Sequence, residues 1–184
     1  MDPFDFPDPR RDNRKSQARP STKPALHLLG YYGLIPFFLG VAAVWLSPMM
    51  VEPGLALIMQ QGTLFYGGII AAYMAGMGAG GILSRENEKS GSASGVAAYL
   101  PGIIATLIAW FMILPNGYFF FSLSPVWRLI GLIVVFIWLF VRDRASVAAG
   151  HWPKWYGDLR LRLTAWVVIC LSAIVARLLL WGYT

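Results

Sequence analysis

The sequence predicts an all-α integral membrane protein of five transmembrane helices, with the N-terminus inside and the C-terminus outside. Two observations predict it. Of 184 residues, 57% are hydrophobic and 13% charged, against roughly 45–50% and roughly 25% in soluble domains. The charges are also segregated. Runs without Asp, Glu, Lys or Arg extend over 25–51, 53–84, 90–127, 129–141, 163–176 and 178–184. A spanning helix needs about 20 apolar residues, and about 17 at the least.

The first segment, residues 1–24, is a tail of different character. It holds Asp2, Asp5, Asp8 and Asp12 beside Arg10, Arg11, Arg14, Lys15, Arg19 and Lys23, with repeated Pro. Such a segment cannot bury enough apolar surface to offset its ordering entropy, so it is expected to be disordered unless a partner orders it. No apolar core follows a basic start, which argues against a signal peptide, and four Asp argue against a mitochondrial presequence. Phe4, Phe6, Arg10 and Arg11 are its candidate docking residues.

Residues 25–184 form the membrane domain, with spans at about 25–46, 62–83, 96–114, 125–141 and 163–182. Span one carries Pro36 in its middle, flanked by Gly33 and Gly40, and is expected to kink there. Span three has Pro101 one turn inside and ends at Pro115-Asn116-Gly117, a turn signal. Span four opens with Ser124-Pro125, a capping residue followed by Pro at the first helical position. Span five contains Arg177, which is expected to snorkel to the outer interface beside Trp181 and Tyr183 or to meet an anionic partner.

Lys and Arg in the connections test this division. The tail has six, and the first loop none. The second loop has Arg85 and Lys89, and the third none beyond Arg128 at the start of span four. The fourth has Arg142, Arg144, Lys154, Arg160 and Arg162. Alternation of this kind is what the positive-inside rule expects of five spans.

Span two carries small residues at four-residue steps, Gly68, Ala72, Gly76 and Gly80, beside a second row, Gly67, Ala71, Ala75 and Ala79. In lipid, helices associate through close backbone approach and van der Waals packing, which small residues permit. Span two is therefore the expected central helix, with Gly68, Ala72, Gly76 and Gly80 as helix-packing residues. The row serves internal packing or the docking of a partner protein or pigment equally well.

The outer loops are apolar. The first runs from Ser47 to Met59 and the third contains Tyr118-Phe119-Phe120-Phe121. Both suit interfacial anchoring, where aromatics are enriched. A groove between them is an alternative site for a lipid or quinone tail.

Signs of chemistry are few. No Asp or Glu lies inside a span, although intramembrane ionisable groups normally form proton or ion pathways. His27 and His151 both fall on the inner side and offer a third reading, a haem-binding redox protein. Cys170 is mid-span and expected to be an inert thiol. With no nucleophile motif, phosphate loop or metal-ligand spacing, no enzyme activity, metal or cofactor is expected, apart from contact with a bound lipid or pigment. The fourth loop is the best-marked segment. Trp152, Trp155 and Tyr156 suit an interface, and Arg160 and Arg162 suit lipid phosphates. With Arg177, these are the candidate lipid- or partner-docking residues. Asp158 and Arg162, four apart, are placed to pair on a helix face.

Gly33-Leu34-Ile35-Pro36-Phe37, Tyr66-Gly67 with Gly76, Asp143, and Pro153-x-Trp155-Tyr156-x-x-Leu159-Arg160-x-x-Leu163-Thr164 resemble the membrane family called domain of unknown function 3429. That family has bacterial members and an animal mitochondrial one, transmembrane protein sixty-nine. Where the family carries a basic or His residue followed by Trp late in span two, this chain has Gly78-Ala79. The resemblance implies a five-pass inner-membrane protein without an established activity. By association it implies an energy-transducing membrane, bacterial in the first instance and mitochondrial in the second. The leading expectation is a non-catalytic accessory or assembly subunit of a respiratory or photosynthetic complex, whose partners are membrane lipids and other integral subunits, not nucleic acid. The alternative is a standalone lipid- or small-molecule-handling membrane protein.

Overall fold

The computed structural model describes residues 23–88, 95–114, 123–150 and 152–182. These residues are helical apart from short connections. The elements are α1 (Lys23–Tyr32), α2 (Ile35–Leu46), α3 (Pro53–Glu88), a 3₁₀ turn (Val96–Ala98), α4 (Leu100–Ile113), α5 (Pro125–Ala148) and α6 (Lys154–Trp181). The segment α1–α2, and each of α3, α5 and α6, is long and apolar enough to cross a membrane, and α4 is a shorter apolar helix. The chain is thus a multi-pass membrane protein with outward apolar faces, such as Leu39, Ile69, Leu107, Val134 and Ile169, suited to lipid. The tail with Phe4, Phe6, Arg10 and Arg11, the Tyr118–Phe121 segment, His151 and Tyr183 lie outside the described residues.

Proline places two of the boundaries. A Pro inside a helix lacks the N–H and clashes with the carbonyl four residues back. For Pro36 that carbonyl belongs to Tyr32, where α1 ends. The expected kink falls at Gly33-Leu34, where the α-helical hydrogen bonding is interrupted, and α2 restarts with Pro36 in its first turn. Pro101 likewise stands in the first turn of α4 rather than inside a longer helix, which is why α4 starts at Leu100. Pro125 opens α5 behind Ser124, whose side chain makes no capping hydrogen bond.

Three helices outrun the spans expected of them. α3 begins at Pro53, so much of the expected first outer loop is helix. α5 continues to Ala148 and α6 begins at Lys154. The expected fourth loop is therefore mostly two helix ends, joined by a short turn in which Gly150 takes a left-handed conformation (φ 72°).

The long helices run up and down in a closed ring, α2–α3–α4–α5–α6 and back to α2, and α3 and α5 also touch across its middle. α3 is the central helix expected from its small residues, and α5 shares that position. Its inward face reads Ala56, Gln60, Thr63, Leu64, Gly67, Gly68, Ala71, Met74 and Ala75, the spacing of one helical stripe. Gly40 faces the Thr63 side chain so closely that a Cβ there would overlap Thr63 Oγ1. Gly68 lies against Ile113 of α4 and Gly67 beside Leu132 of α5.

Arg128 ties α4 to α5. Its Nε donates to Met112 O and its Nη2 to Ile113 O, both at 2.7 Å, so it caps the carbonyl end of α4. Those carbonyls have no partner within their own helix, and a cation there also meets the negative end of the helix dipole. At the same end, Trp45 Nε1 donates to Ala173 O at 3.1 Å, closing α2 onto α6.

Candidate functional site

The helix ends that carry Arg142, Arg144, Lys154, Arg160 and Arg162 form one end of the bundle, called here the basic end. There α1 touches α6, and α2 packs on both α3 and α6. Losing one turn of helix frees a carbonyl. Phe37 N bonds Leu34 O at 3.0 Å instead of Gly33 O. Gly33 O is taken up by the Tyr66 hydroxyl, which donates to it at 3.0 Å. Phe37 then packs edge-on against Tyr66, with centroids 5.4 Å apart, and against Phe136.

Beneath this break lies a cavity of about 170 Å³ between α1, α2, α3, α5 and α6. Its walls are almost wholly apolar and include Phe37, Met74, Met77, Phe136, Leu163 and Val167. Leu29 and Tyr73, 71% and 63% exposed, also line it, so it opens sideways between α1 and α3.

Its polar wall comes from α6. Tyr156, Arg160 and Thr164 follow at four-residue steps, are all buried, and all line the cavity. Arg160 Nε donates to Tyr156 Oη at 2.7 Å and lies 3.1 Å from Asp143 Oδ2 on α5. The second contact is an ion pair without hydrogen-bond alignment, since Oδ2 has no hydrogen-bond partner. Arg160 Nη2 and Thr164 Oγ1 are buried and likewise have none. A buried polar group without a partner costs about 1–3 kcal/mol, more when charged.

Trp152 and Trp155 brace the same turn. Trp152 stacks on Tyr156 at 4.9 Å and abuts Gly81 of α3. Trp155 meets Tyr156 edge-on and lies 6.2 Å from His27. Of the residues assigned to lipid or partner docking, Tyr156, Arg160 and Arg177 are buried, Trp152 and Trp155 are half-buried, and Arg162 is exposed. Arg177, at the far end, donates to Ser47 O at 3.0 Å and stacks over Trp181 at 4.9 Å. Asp158 and Arg162 are both exposed, and the ion pair among the described residues is Asp143–Arg160.

In the small-residue row, Gly68 is buried, Ala72 half-buried, and Gly76 and Gly80 exposed, with no atom within 4 Å of where a Cβ would stand. The neighbouring Gly67, Ala71 and Ala75 turn inward. No group of three or more His, Cys, Asp or Glu able to hold a metal occurs among the described residues.

Sequence reasoning missed Asp143 as the partner of Arg160. A signal was present. Asp143 continues the stripe Leu132, Phe136, Leu139 of α5, and Arg160 the stripe Thr164, Val167, Leu171 of α6. Extending both helices past their apolar runs would have set the two charges on facing sides.

The segments on which the family resemblance rests thus converge on the cavity. Gly33, Phe37, Tyr156, Arg160 and Thr164 line it, Tyr66 seals the break above it, and Asp143 pairs behind it. The family described as protein of unknown function (DUF3429) matches residues 22–176. No curated protein and no solved structure matches the chain.

Proposed function

The chain belongs to the DUF3429 family, and from that membership, which carries no activity, we propose that it is a membrane protein that binds a small apolar-tailed molecule without transforming it. The supporting observation is the laterally open apolar cavity, whose wall includes the buried residues Tyr156, Arg160 and Thr164. Small-molecule sites combine mostly apolar walls with a few convergent polar groups in this way. The cavity lies at the basic end, opposite the outer-loop groove that the sequence suggested.

In this reading all five apolar helices cross the bilayer. The basic end faces the cytoplasm of a bacterial inner membrane, or the matrix if the membrane is mitochondrial. The alternation of Lys and Arg supports that orientation.

The test is native mass spectrometry of the full chain released from its own membrane. A retained apolar-tailed molecule, displaced by Val167→Phe filling the cavity, is the expected result. A chain that emerges bare, and that takes up no added alkylbenzene, overturns the reading.

A second reading, an accessory subunit of an energy-transducing complex, draws on a separate feature. The open furrow at Gly76 and Gly80 would let another helix approach α3 closely. Co-migration with one large complex on a blue-native gel, lost on Gly76→Leu, is its expected signature. Migration as a small species in conditions that keep such complexes whole excludes it.

A further inference from the structure

The end of the bundle opposite the basic end holds a second, smaller pocket. Its volume is about 40 Å³, and Val44, Ser47, Leu57, Gln60, Arg177 and Leu178 line it. Ser47, Gln60 and Arg177 are each more than nine-tenths buried, at 7%, 6% and 7% exposure. Arg177 Nη2 is spent on Ser47 O. Its Nε and Nη1, the Gln60 amide and the Ser47 hydroxyl have no hydrogen-bond partner among the described residues. The side-chain polar atoms that are both unpartnered and fully enclosed among the described residues belong to Asp143, Arg160 and Thr164, at the basic end. Those of Arg177, Gln60 and Ser47 are therefore not enclosed, and in residues this buried the surface they keep faces the pocket.

Arg177 brings a charge that its surroundings do not balance. The ion pair among the described residues is Asp143–Arg160, at the other end. Arg177 has instead a carbonyl at the end of α2 and the face of Trp181, 4.9 Å away. Both draw a cation, and neither carries a net charge. Glu52, on the link between α2 and α3, is exposed, where water and salt screen it. Arg128, the other buried cation of this end, is held by Met112 O and Ile113 O. A buried cation without a counter-charge is costly, and an anion seated beside it with further hydrogen bonds offsets that cost.

Size and place select the anion. A pocket of about 40 Å³ has room for roughly three water-sized groups. It takes the oxygens of one charged group, and not a ring or a chain. Its surroundings are apolar: Leu57 in its wall is 58% exposed, and Met49 and Met50, next to Ser47 in the chain, are 92% and 83% exposed. The pocket lies where α2 and α6 end and α3 begins, at the margin of the apolar helices, which is the level of the headgroups in a bilayer. Arginine in a pocket between helices at that depth suits phosphate, which it meets through charge-assisted hydrogen bonds.

We infer that this pocket holds the phosphodiester of a membrane phospholipid, its free oxygens accepting from the Arg177 guanidinium and the Gln60 amide, with the acyl chains outside along the apolar face beside Leu57. The site is separate from the cavity at the basic end, and its failure leaves the binding reading above untouched. The test offers the full chain in detergent equal amounts of dioleoylphosphatidylglycerol and dioleoylglycerol, which share their tails and differ in the phosphate-bearing head. Occupancy is read by native mass spectrometry, with and without added inorganic phosphate. The expected result is a preference of about tenfold for the phospholipid, the scale of one hydrogen bond to a charged group. Gln60→Leu, which removes no hydrogen bond of the fold, reduces that preference several-fold, and Arg177→Gln abolishes it. Equal uptake of the two lipids overturns the inference, and inorganic phosphate bound in their place would then mean a free-anion site. A preference that either variant leaves intact also overturns it, because the lipid would then sit elsewhere. Should Arg177→Gln fail to fold, Gln60→Leu decides.

Discussion

Asp143 of α5 and Arg160 of α6 meet at 3.1 Å across the basic end of the bundle, with side chains only 14% and 9% exposed. Removing one partner of a buried pair leaves an uncompensated charge, at a cost of about 3–5 kcal/mol. Asp143→Asn and Arg160→Met are therefore each expected to lower the thermal unfolding temperature in detergent markedly. The double variant Asp143→Leu/Arg160→Met should recover much of the loss, because it buries no lone charge. A double variant as unstable as the worse single one would show that the pair does more than neutralise itself.

Tyr66 and Pro36 form a second coupled pair. Tyr66 Oη satisfies the Gly33 carbonyl that the break before Pro36 sets free. Tyr66→Phe should cost about 1–3 kcal/mol by leaving that carbonyl unpaired. In a Pro36→Ala background the helix can close through the break, and Gly33 O can accept from Phe37 N. The cost of Tyr66→Phe should then shrink. A double-mutant cycle on unfolding in detergent measures the coupling, and additive effects would contradict it.

Arg128 caps α4 through Met112 O and Ile113 O. Hydrogen bonds to a charged group are worth about 1.5–3 kcal/mol each. Arg128→Met is expected to loosen the last turn of α4, seen as faster amide hydrogen exchange over residues 109–114. Unchanged exchange there would show that α4 holds its end without the cap.

Glycines at helix contacts should divide into two groups. Gly40→Ala drives a Cβ into Thr63, and Gly68→Ala drives one against Ile113. Overpacking of this kind costs about 1–3 kcal/mol. Gly76→Ala and Gly80→Ala meet nothing within 4 Å and should leave the stability of the isolated chain unchanged or slightly raised, as helix propensity favours Ala. Equal losses at all four positions, measured by unfolding in detergent, would refute the division.

Much of the fold was legible before any coordinates. The apolar runs located the helices, and the charge alternation separated one end of the bundle from the other. Pro36 was read as a kink and Pro101 as lying one turn inside its span, yet each stands in the first turn of a helix, because a missing N–H and a ring clash act locally. Helix ends were less legible. α5 and α6 carry their helical stripes beyond the apolar runs, through Asp143 and from Tyr156, and reading charge as loop hid the ion pair.

What the sequence determined by itself was therefore a set of apolar helices, their breaks and the segregation of charge. Each of these follows from local stereochemistry or from the cost of placing charge in hydrocarbon. The tertiary structure alone decided which side of each helix looks inward. In water, an apolar stripe against a polar one announces the inward face. In lipid both faces are apolar. The sequence favoured the row Gly68, Ala72, Gly76 and Gly80, whereas the structure turns Gly67, Ala71 and Ala75 inward with Gly68 and leaves Gly76 and Gly80 exposed. The cavity belongs to the same class of fact. It lies where α1 and α2 face α3, α5 and α6, a gap that no single helix encodes.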